Sequence, residues 1–153
     1  MIHKEISIDI ARSAPEVFAL VDDISRAPEW LGLCVAVKQV SPPPRQVGTR
    51  LHYTYRRDGK TGEMEGVVTA FDPARRLGLK YTDKLFDVEM DFQFLPAPAG
   101  TTLKHTCEIT PKTFAAKLMS PIISPMVEEQ LHEDFARLKT LLEKGPKSGS
   151  GES

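Results

Sequence analysis

The chain has 153 residues, of which 41% are hydrophobic and 27% are charged, and its formal net charge is −1. This length fits one domain of about 100–150 residues, and the near-neutral charge lacks the basic excess of nucleic-acid-binding proteins. No apolar run approaches the roughly 20 residues that span a bilayer. We therefore expect neither nucleic acid nor an integral membrane anchor.

The cysteines and the first residues of the chain bear on the expected cellular compartment. Cys34 and Cys107 are the two cysteines, and they show none of the spacing of a zinc site. We expect free thiols, no metal and a reducing, cytoplasmic environment. The first ten residues alternate polar and apolar side chains, which is not the pattern of a signal or transit peptide.

Residues 1–110 read as strands interrupted by two short helical pieces. Ser13-Ala14-Pro15-Glu16 combines a capping serine, a first-turn proline and an acidic residue, so it predicts a helix start. The composition of Gly59-Lys60-Thr61-Gly62 predicts a hairpin turn. The predicted strands are 2–10, 33–40, 49–57, 63–72, 76–82, 86–95 and 101–110, and a second short helical piece covers 25–30.

After Pro111 the hydrophobic period becomes helical. An apolar stripe runs along the chain at steps of three and four residues: Met119, Ile123, Val127, Leu131, Phe135, Leu138 and Leu142. Ser120-Pro121 and Ser124-Pro125 each predict a capped start for this helix, after a shorter helical piece at 114–119. The helix is expected to end near Lys144. Residues 1–144 would then form a single domain, with a disordered tail at 145–153.

Strand parity predicts an α+β fold. One face of the predicted sheet is apolar and the other is polar, which is typical of an antiparallel sheet with one buried side. A sheet of about seven strands is wider than one helix of about 10–12 Å. We therefore expect a curved sheet that grips the long C-terminal helix, with two short helices and some unfilled space between sheet and helix.

The inward face carries several features of a small-molecule site. Gly66 and Ala70 are small, whereas Tyr53, Tyr55, Tyr81 and His105 bring polar tips to an apolar surface. The predicted ligand-binding residues are Trp30, Tyr53, Tyr55, Gly66, Tyr81, Met90, Phe92, His105 and Met126. For each of these residues ordinary core packing is the competing interpretation. His105 would then be a core histidine that bonds a tyrosine or a backbone carbonyl.

Two chemical alternatives are not favoured by the spacing. Asp87, Glu89 and Asp91 form a row on the polar face, whereas a hard cation needs converging ligands. Cys107 and His105 lie two apart on one strand, roughly 6–7 Å from each other, and have no third group to orient them. No metal site, cofactor or catalytic residue is therefore predicted.

Five short stretches resemble the START-like helix-grip superfamily (Bet v 1-like, SRPBCC), and within it the polyketide cyclase/dehydrase-like and lipid-transport-like proteins. They occur in the family order: Ile8-x-Ile10 with Ala14-Pro15-Glu16-Val17, then Pro28-Glu29-Trp30, Val47-Gly48-Thr49-Arg50, Gly100-Thr101-Thr102-Leu103, and Leu138-Lys139 with Leu141-Leu142-Glu143. Leu20-Val21-Asp22-Asp23, with Pro28 and Cys34, is similar to the coenzyme Q-binding members.

The resemblance implies a helix-grip fold and a hydrophobic ligand such as a lipid, a quinone or a polyketide-like compound. The aromatase/cyclase members are expected to place charged side chains in the pocket, whereas Lys4, Arg57 and Asp83 lie at strand ends here. Two further hypotheses stay open. One is a cyclase/dehydratase-like or hydrolase-like enzyme that uses His105 and a tyrosine. The other is a protein-interaction module without ligand, for example a homodimer.

Overall fold

The alternating segments form seven strands in the computed structural model, which describes residues 1–144. The predicted tail at 145–153 lies outside the described residues. The elements in chain order are β1 (Ile2–Ile10), α1 (Ala14–Asp22), a 3-10 helix (Ile24–Arg26), α2 (Ala27–Trp30), β2 (Cys34–Gln39), β3 (Arg50–Arg57), β4 (Lys60–Asp72), β5 (Arg76–Thr82), β6 (Phe86–Ala97), β7 (Gly100–Pro111) and α3 (Phe114–Lys144).

The predicted start of α1 is confirmed. Ser13 adopts an extended backbone, and its hydroxyl accepts a hydrogen bond from the Glu16 amide while the Glu16 carboxylate accepts one from the Ser13 amide. This reciprocal pair satisfies two amide groups that have no partner inside the helix. Four apolar residues of α1 are buried against the sheet: Val17, Phe18, Leu20 and Val21.

The strands form one antiparallel sheet in the order β1-β7-β6-β5-β4-β3-β2. The first strand pairs with the last one, so that Ile2 lies opposite Ile109 and Ile10 opposite Thr101. Because hairpins connect β3 through β7, the remaining strands follow one another across the sheet. The α+β helix-grip prediction is confirmed, with α3 packed against the inward face.

The prediction of a helical break in the last third is wrong, because α3 is one continuous helix with Pro121 and Pro125 inside it. Its start is capped by Thr113, whose hydroxyl accepts from the Ala116 amide. Ala116 and Ile123 are both buried, so the helix is held on the core before and after the first proline. Packing against the core therefore compensates for the helix hydrogen bonds that the two prolines cannot donate.

Two details of the β3–β5 region differ from the prediction. The hairpin turn is Asp58-Gly59, both with positive φ, so β4 begins at Lys60 rather than at 63. A β-bulge between Val68 and Ala70 then changes the parity of β4. Ala70 lies opposite Gly78, and Phe71 takes the inward position opposite Leu77, where it contacts Phe18. The inward orientation predicted for Ala70 is therefore wrong.

Candidate functional site

A pocket of about 290 Å³ lies between the inward face of the sheet, the segment 21–33 and the first half of α3. Most of its wall is apolar, as ligand pockets usually are. The sheet contributes Val37, Leu51, Tyr53, Tyr55, Met64, Leu77, Leu79, Tyr81, Val88, Met90, Phe92 and Ile109 to the wall. The helices and their connections contribute Val21, Ile24, Ala27, Trp30, Leu31, Leu33, Ile123 and Val127.

The structure brings six of the nine predicted ligand-binding residues to this pocket. They are Trp30, Tyr53, Tyr55, Tyr81, Met90 and Phe92. The other three, Gly66, His105 and Met126, are outside the part of the wall formed by the described residues. Five of the six lie on β3, β5 and β6, where the alternation is uninterrupted at these positions. Trp30 reaches the wall from α2.

Three tyrosines form a cluster in the wall. The ring of Tyr53 stacks on that of Tyr55 at 5.8 Å between centroids and contacts that of Tyr81 at 5.2 Å. None of the three hydroxyls bonds to another side chain or backbone group within residues 1–144. Burial raises the pKa of Tyr53 and of Tyr81, so both phenols stay protonated at neutral pH. They are available as hydrogen-bond donors or acceptors for a bound molecule.

Trp30 closes the pocket where α2 approaches α3. Its indole packs edge-on against Phe92 and Phe135, with centroid distances of 6.5 and 5.9 Å. The indole is 2% exposed, and its Nε1 has no hydrogen-bond acceptor among the described residues. The Arg137 Nε–H donates to the Trp30 carbonyl at 3.1 Å and fixes the end of α2 on α3.

A buried carboxylate strengthens this attachment. Asp134 is 6% exposed, and its Oδ1 accepts bonds from the Gly32 amide at 2.9 Å and from Gln130 and Arg137 at 2.8 Å. Burial raises the pKa of Asp134, while these donors act in the opposite direction. These bonds attach the connection after Trp30 to α3 on this side of the pocket.

Gly66 acts beneath the pocket rather than in its wall. A Cβ atom at this position would lie 2.6 Å from Cδ1 of Tyr81, so the missing side chain is what allows the Tyr81 ring to cross β4. The space that the sequence suggested at Gly66 is therefore occupied by an aromatic ring.

Gly66→Ala should destabilise the protein by roughly 1–3 kcal/mol, because the added methyl group forces the Tyr81 ring out of its position against Tyr53. Urea denaturation of the two proteins measures the difference. A free energy of unfolding that changes by less than about 0.5 kcal/mol, the range of an ordinary surface substitution, would contradict this role of Gly66.

His105 lies in the core, where it is 2% exposed. Its ring is 4.3 Å from that of Phe92 and 5.0 Å from that of Phe135, measured between centroids. Nδ1 donates a hydrogen bond to the Asp91 carbonyl at 3.1 Å, so this nitrogen carries the proton. Burial lowers the pKa of His105 to about 4, and the ring is neutral at pH 7. Phe92, not His105, presents its surface to the pocket.

Four charged residues line the pocket as well, and the sequence interpretation did not include them. Arg45 and Asp22 form a half-buried ion pair at 2.8 Å, whereas Arg57 and Asp83 stand at the ends of β3 and β5. Oδ1 of Asp83 accepts from the amides of Leu85 and Phe86 at 2.8 Å. Strand alternation could have identified Arg57 and Asp83. Position 57 falls on the same face of the sheet as positions 51, 53 and 55, and position 83 on the same face as 77, 79 and 81.

The thiols do not form a reactive site. Cys34 and Cys107 are both free and buried, and burial raises the pKa of each to about 11. A buried thiol with a raised pKa is a poor nucleophile. No group of three His, Cys, Asp or Glu side chains within residues 1–144 is arranged to hold a metal ion. In the same part of the chain, no helix has the length and apolar character to cross a membrane.

Comparisons with known proteins agree with this architecture. A family model described as polyketide cyclase/dehydrase and lipid transport matches residues 1–143. The Zhui aromatase/cyclase from a Streptomyces species has a similar structure, with a TM-score of 0.80, 14% identity and coverage of 99% of this chain and 98% of that one. No curated protein sequence matches significantly.

Two further solved structures share the fold. A START superfamily protein from Mycobacterium smegmatis has a TM-score of 0.68 and 19% identity, covering 93% of this chain and 94% of that one. The protein Ara h 8.0201 has a TM-score of 0.74 and 16% identity, covering 94% and 98%. At these identities the similarity shows the fold.

Proposed function

The chain belongs to the polyketide cyclase/dehydrase and lipid transport family, and from this premise we propose that it binds a small hydrophobic molecule in the pocket described above. The observation that carries the proposal is a largely apolar pocket of about 290 Å³ with three tyrosine hydroxyls that have no protein partner within residues 1–144. An apolar pocket with a few convergent polar groups is the usual form of a small-molecule site.

The size of the pocket supports a compact ligand. Its volume of about 290 Å³ lies just below the range of roughly 300–1,000 Å³ that is usual for ligand pockets. Removal of apolar surface from water stabilises the complex by about 25 cal/mol per Å². A molecule of two or three fused rings, such as a quinone or a polyketide-like ring compound, would use this volume better than a long, flexible acyl chain, which also loses more conformational entropy.

The polar groups of the wall support a ligand with acceptor oxygens. The Asp22 carboxylate is paired with Arg45, and Oδ1 of Asp83 is bonded to two backbone amides. Tyr53 and Tyr81 remain as neutral donors in an apolar wall. A ring carbonyl placed between these two hydroxyls would be oriented by hydrogen bonds, while apolar contact supplies most of the affinity.

The geometry favours binding over the enzyme that uses His105 and a tyrosine. His105 is separated from the pocket wall, and its Nδ1 already donates to the Asp91 carbonyl. A general acid or base must come within hydrogen-bond reach of the atom it serves. The presence of the pocket also supports ligand binding over an interaction module with a filled interior.

Tyr53→Phe and Tyr81→Phe should each weaken binding of 1,4-naphthoquinone by about five- to tenfold, the effect of one lost hydrogen bond. Binding of naphthalene, which has the same rings without oxygen, should change little. Isothermal titration calorimetry measures the affinity for both probes.

Thr54→Val is the matched control, since it removes a hydroxyl from the outward face next to Tyr53. Equal weakening of both probes by the two tyrosine variants would contradict the orienting role of the phenols. Failure of the unmodified protein to bind either probe would speak against the ligand pocket for compounds of this class.

A further inference from the structure

The first half of α3 carries an exposed apolar surface that the pocket does not use. We define the α3 face as Phe114, Leu118, Met119, Ile122 and Met126. Their exposed fractions are 76%, 63%, 44%, 68% and 43%. At about 3.6 residues per turn they fall within an arc of roughly 140°. Exposed apolar residues are ordinary when they are scattered singly, but a contiguous surface of this kind marks an interaction site.

The opposite side of the same turns is already packed. Ala116 and Ile123 are buried, and Ile123 and Val127 line the pocket. The exposure of the α3 face therefore does not result from an unpacked helix. It is a second apolar surface on a helix whose other side is held by the core, so a partner could cover it without rearrangement of the fold.

Charges of opposite sign stand at the two ends of this face. At the amino end is the exposed Lys84, since the Lys112 amide bonds to the carbonyl of Leu85 and brings the β5–β6 connection next to the start of α3. The Lys112 ammonium is already bonded within the chain, to the Thr82 hydroxyl and the Asp83 carbonyl. At the carboxyl end are Glu129 and Glu133, both exposed. A partner of uniform charge, such as an anionic lipid surface, would be attracted by one end and repelled by the other.

We propose that a second copy of this chain covers the α3 face in an antiparallel, two-fold arrangement. A two-fold axis that crosses the α3 face midway between Leu118 and Ile122 places each of these residues beside the other's counterpart. It also places Phe114 of one copy beside Met126 of the other. The same operation brings Lys84 of one copy to the glutamates at the far end of the other copy. Two-fold dimers are the commonest oligomers, and their interfaces must be self-complementary in this way.

The amount of apolar surface supports this occupant. Leu85, 40% exposed, extends the α3 face at its amino end, so six large side chains lie on one side of the molecule. With charged residues at its ends, the patch has the apolar centre and polar edge that are usual in protein–protein interfaces. This interaction goes beyond the proposed ligand binding and does not depend on it.

Sedimentation equilibrium of the full chain tests the proposal. The unmodified protein should sediment as a reversible dimer. Leu118→Glu and Ile122→Glu should each weaken it by at least about a hundredfold, because an unpaired carboxylate would be buried at the centre of the interface. Val47→Glu is the matched control, since Val47 is 61% exposed in the loop before β3. Unchanged circular dichroism shows that the variants remain folded.

A charge exchange tests the antiparallel arrangement. Glu129→Lys and Lys84→Glu should each weaken the dimer several-fold, and the double variant should restore it, because the exchanged charges attract again across the two-fold axis. A double variant as weak as the single variants would overturn the arrangement. If the chain stays monomeric at all concentrations, the proposal is overturned. The same holds if the monomeric chain instead floats with anionic phospholipid vesicles.

Discussion

Val88→Phe is expected to lower the affinity for every apolar probe by at least about a hundredfold. Val88 is half-buried on β6, faces the pocket and lies between Tyr81 of β5 and Ile109 of β7. A phenyl ring at this position enters the free volume and removes the space that a second ring system would need. A ligand that loses most of its buried surface loses the corresponding hydrophobic free energy, which amounts to several kcal/mol for a bicyclic compound at about 25 cal/mol per Å².

Glu89→Phe provides the control, since Glu89 is the next residue of the same strand and is exposed on the outward face. The substitution introduces the same side chain outside the pocket. The affinity of this variant for naphthoquinone should stay within about twofold of the affinity of the unmodified protein. Isothermal titration calorimetry measures both variants. If Val88→Phe binds as tightly as Glu89→Phe, ligands do not use this pocket.

The second large effect is a loss of stability in acid that comes from His105. Because burial lowers the pKa of His105 to about 4 in the folded protein, the unfolded chain binds a proton at higher pH than the folded one. The contribution of the neutral His105 ring to the free energy of unfolding is complete above pH 6.5, which is the pKa of histidine in the unfolded chain. This contribution is lost as the pH falls from 6.5 towards 4. With about 1.4 kcal/mol per pKa unit, the loss reaches about 3 kcal/mol.

Urea denaturation at pH 7 and at pH 4.5 measures this effect against His105→Phe. The variant keeps an aromatic ring between Phe92 and Phe135 but has no group to titrate. Asp22 and Asp134 have pKa values raised by burial, which favours the folded state as the pH falls, so their contribution has the opposite sign and is common to both proteins. An equal pH dependence of the two proteins would show that His105 is protonated without cost.

Much of the fold could be predicted because a strand period of two identifies which side is buried. Tyr53, Tyr81, Met90 and Phe92 face the pocket as the alternation indicated. The same rule applied to Arg57 and Asp83 would have found the charged residues of the wall. Ala70 could not be placed from the pattern, since a bulge changes the parity and leaves no clear signal in this sequence.

The remaining differences depend on packing that a one-dimensional pattern does not contain. His105 has inward parity, but Phe92 and Phe135 surround it and exclude it from the pocket. Gly66 is small because the Tyr81 ring crosses it, not because a ligand lies there. Met126 is a different case: it is 43% exposed on the outer side of α3 and lies outside the apolar stripe that brings Ile123 and Val127 to the pocket, so the helical period could have excluded it.

The central claim is that small apolar molecules bind between the sheet and α3, and the indole resonance of Trp30 tests it most directly. In a ¹H–¹⁵N NMR titration with naphthoquinone and related ring compounds, the single indole signal and the amides of Leu79, Val88 and Met90 should shift together and saturate. If no compound moves these signals, or if the shifts occur only at Leu118 and Ile122 on the outer side of α3, the pocket is not the binding site.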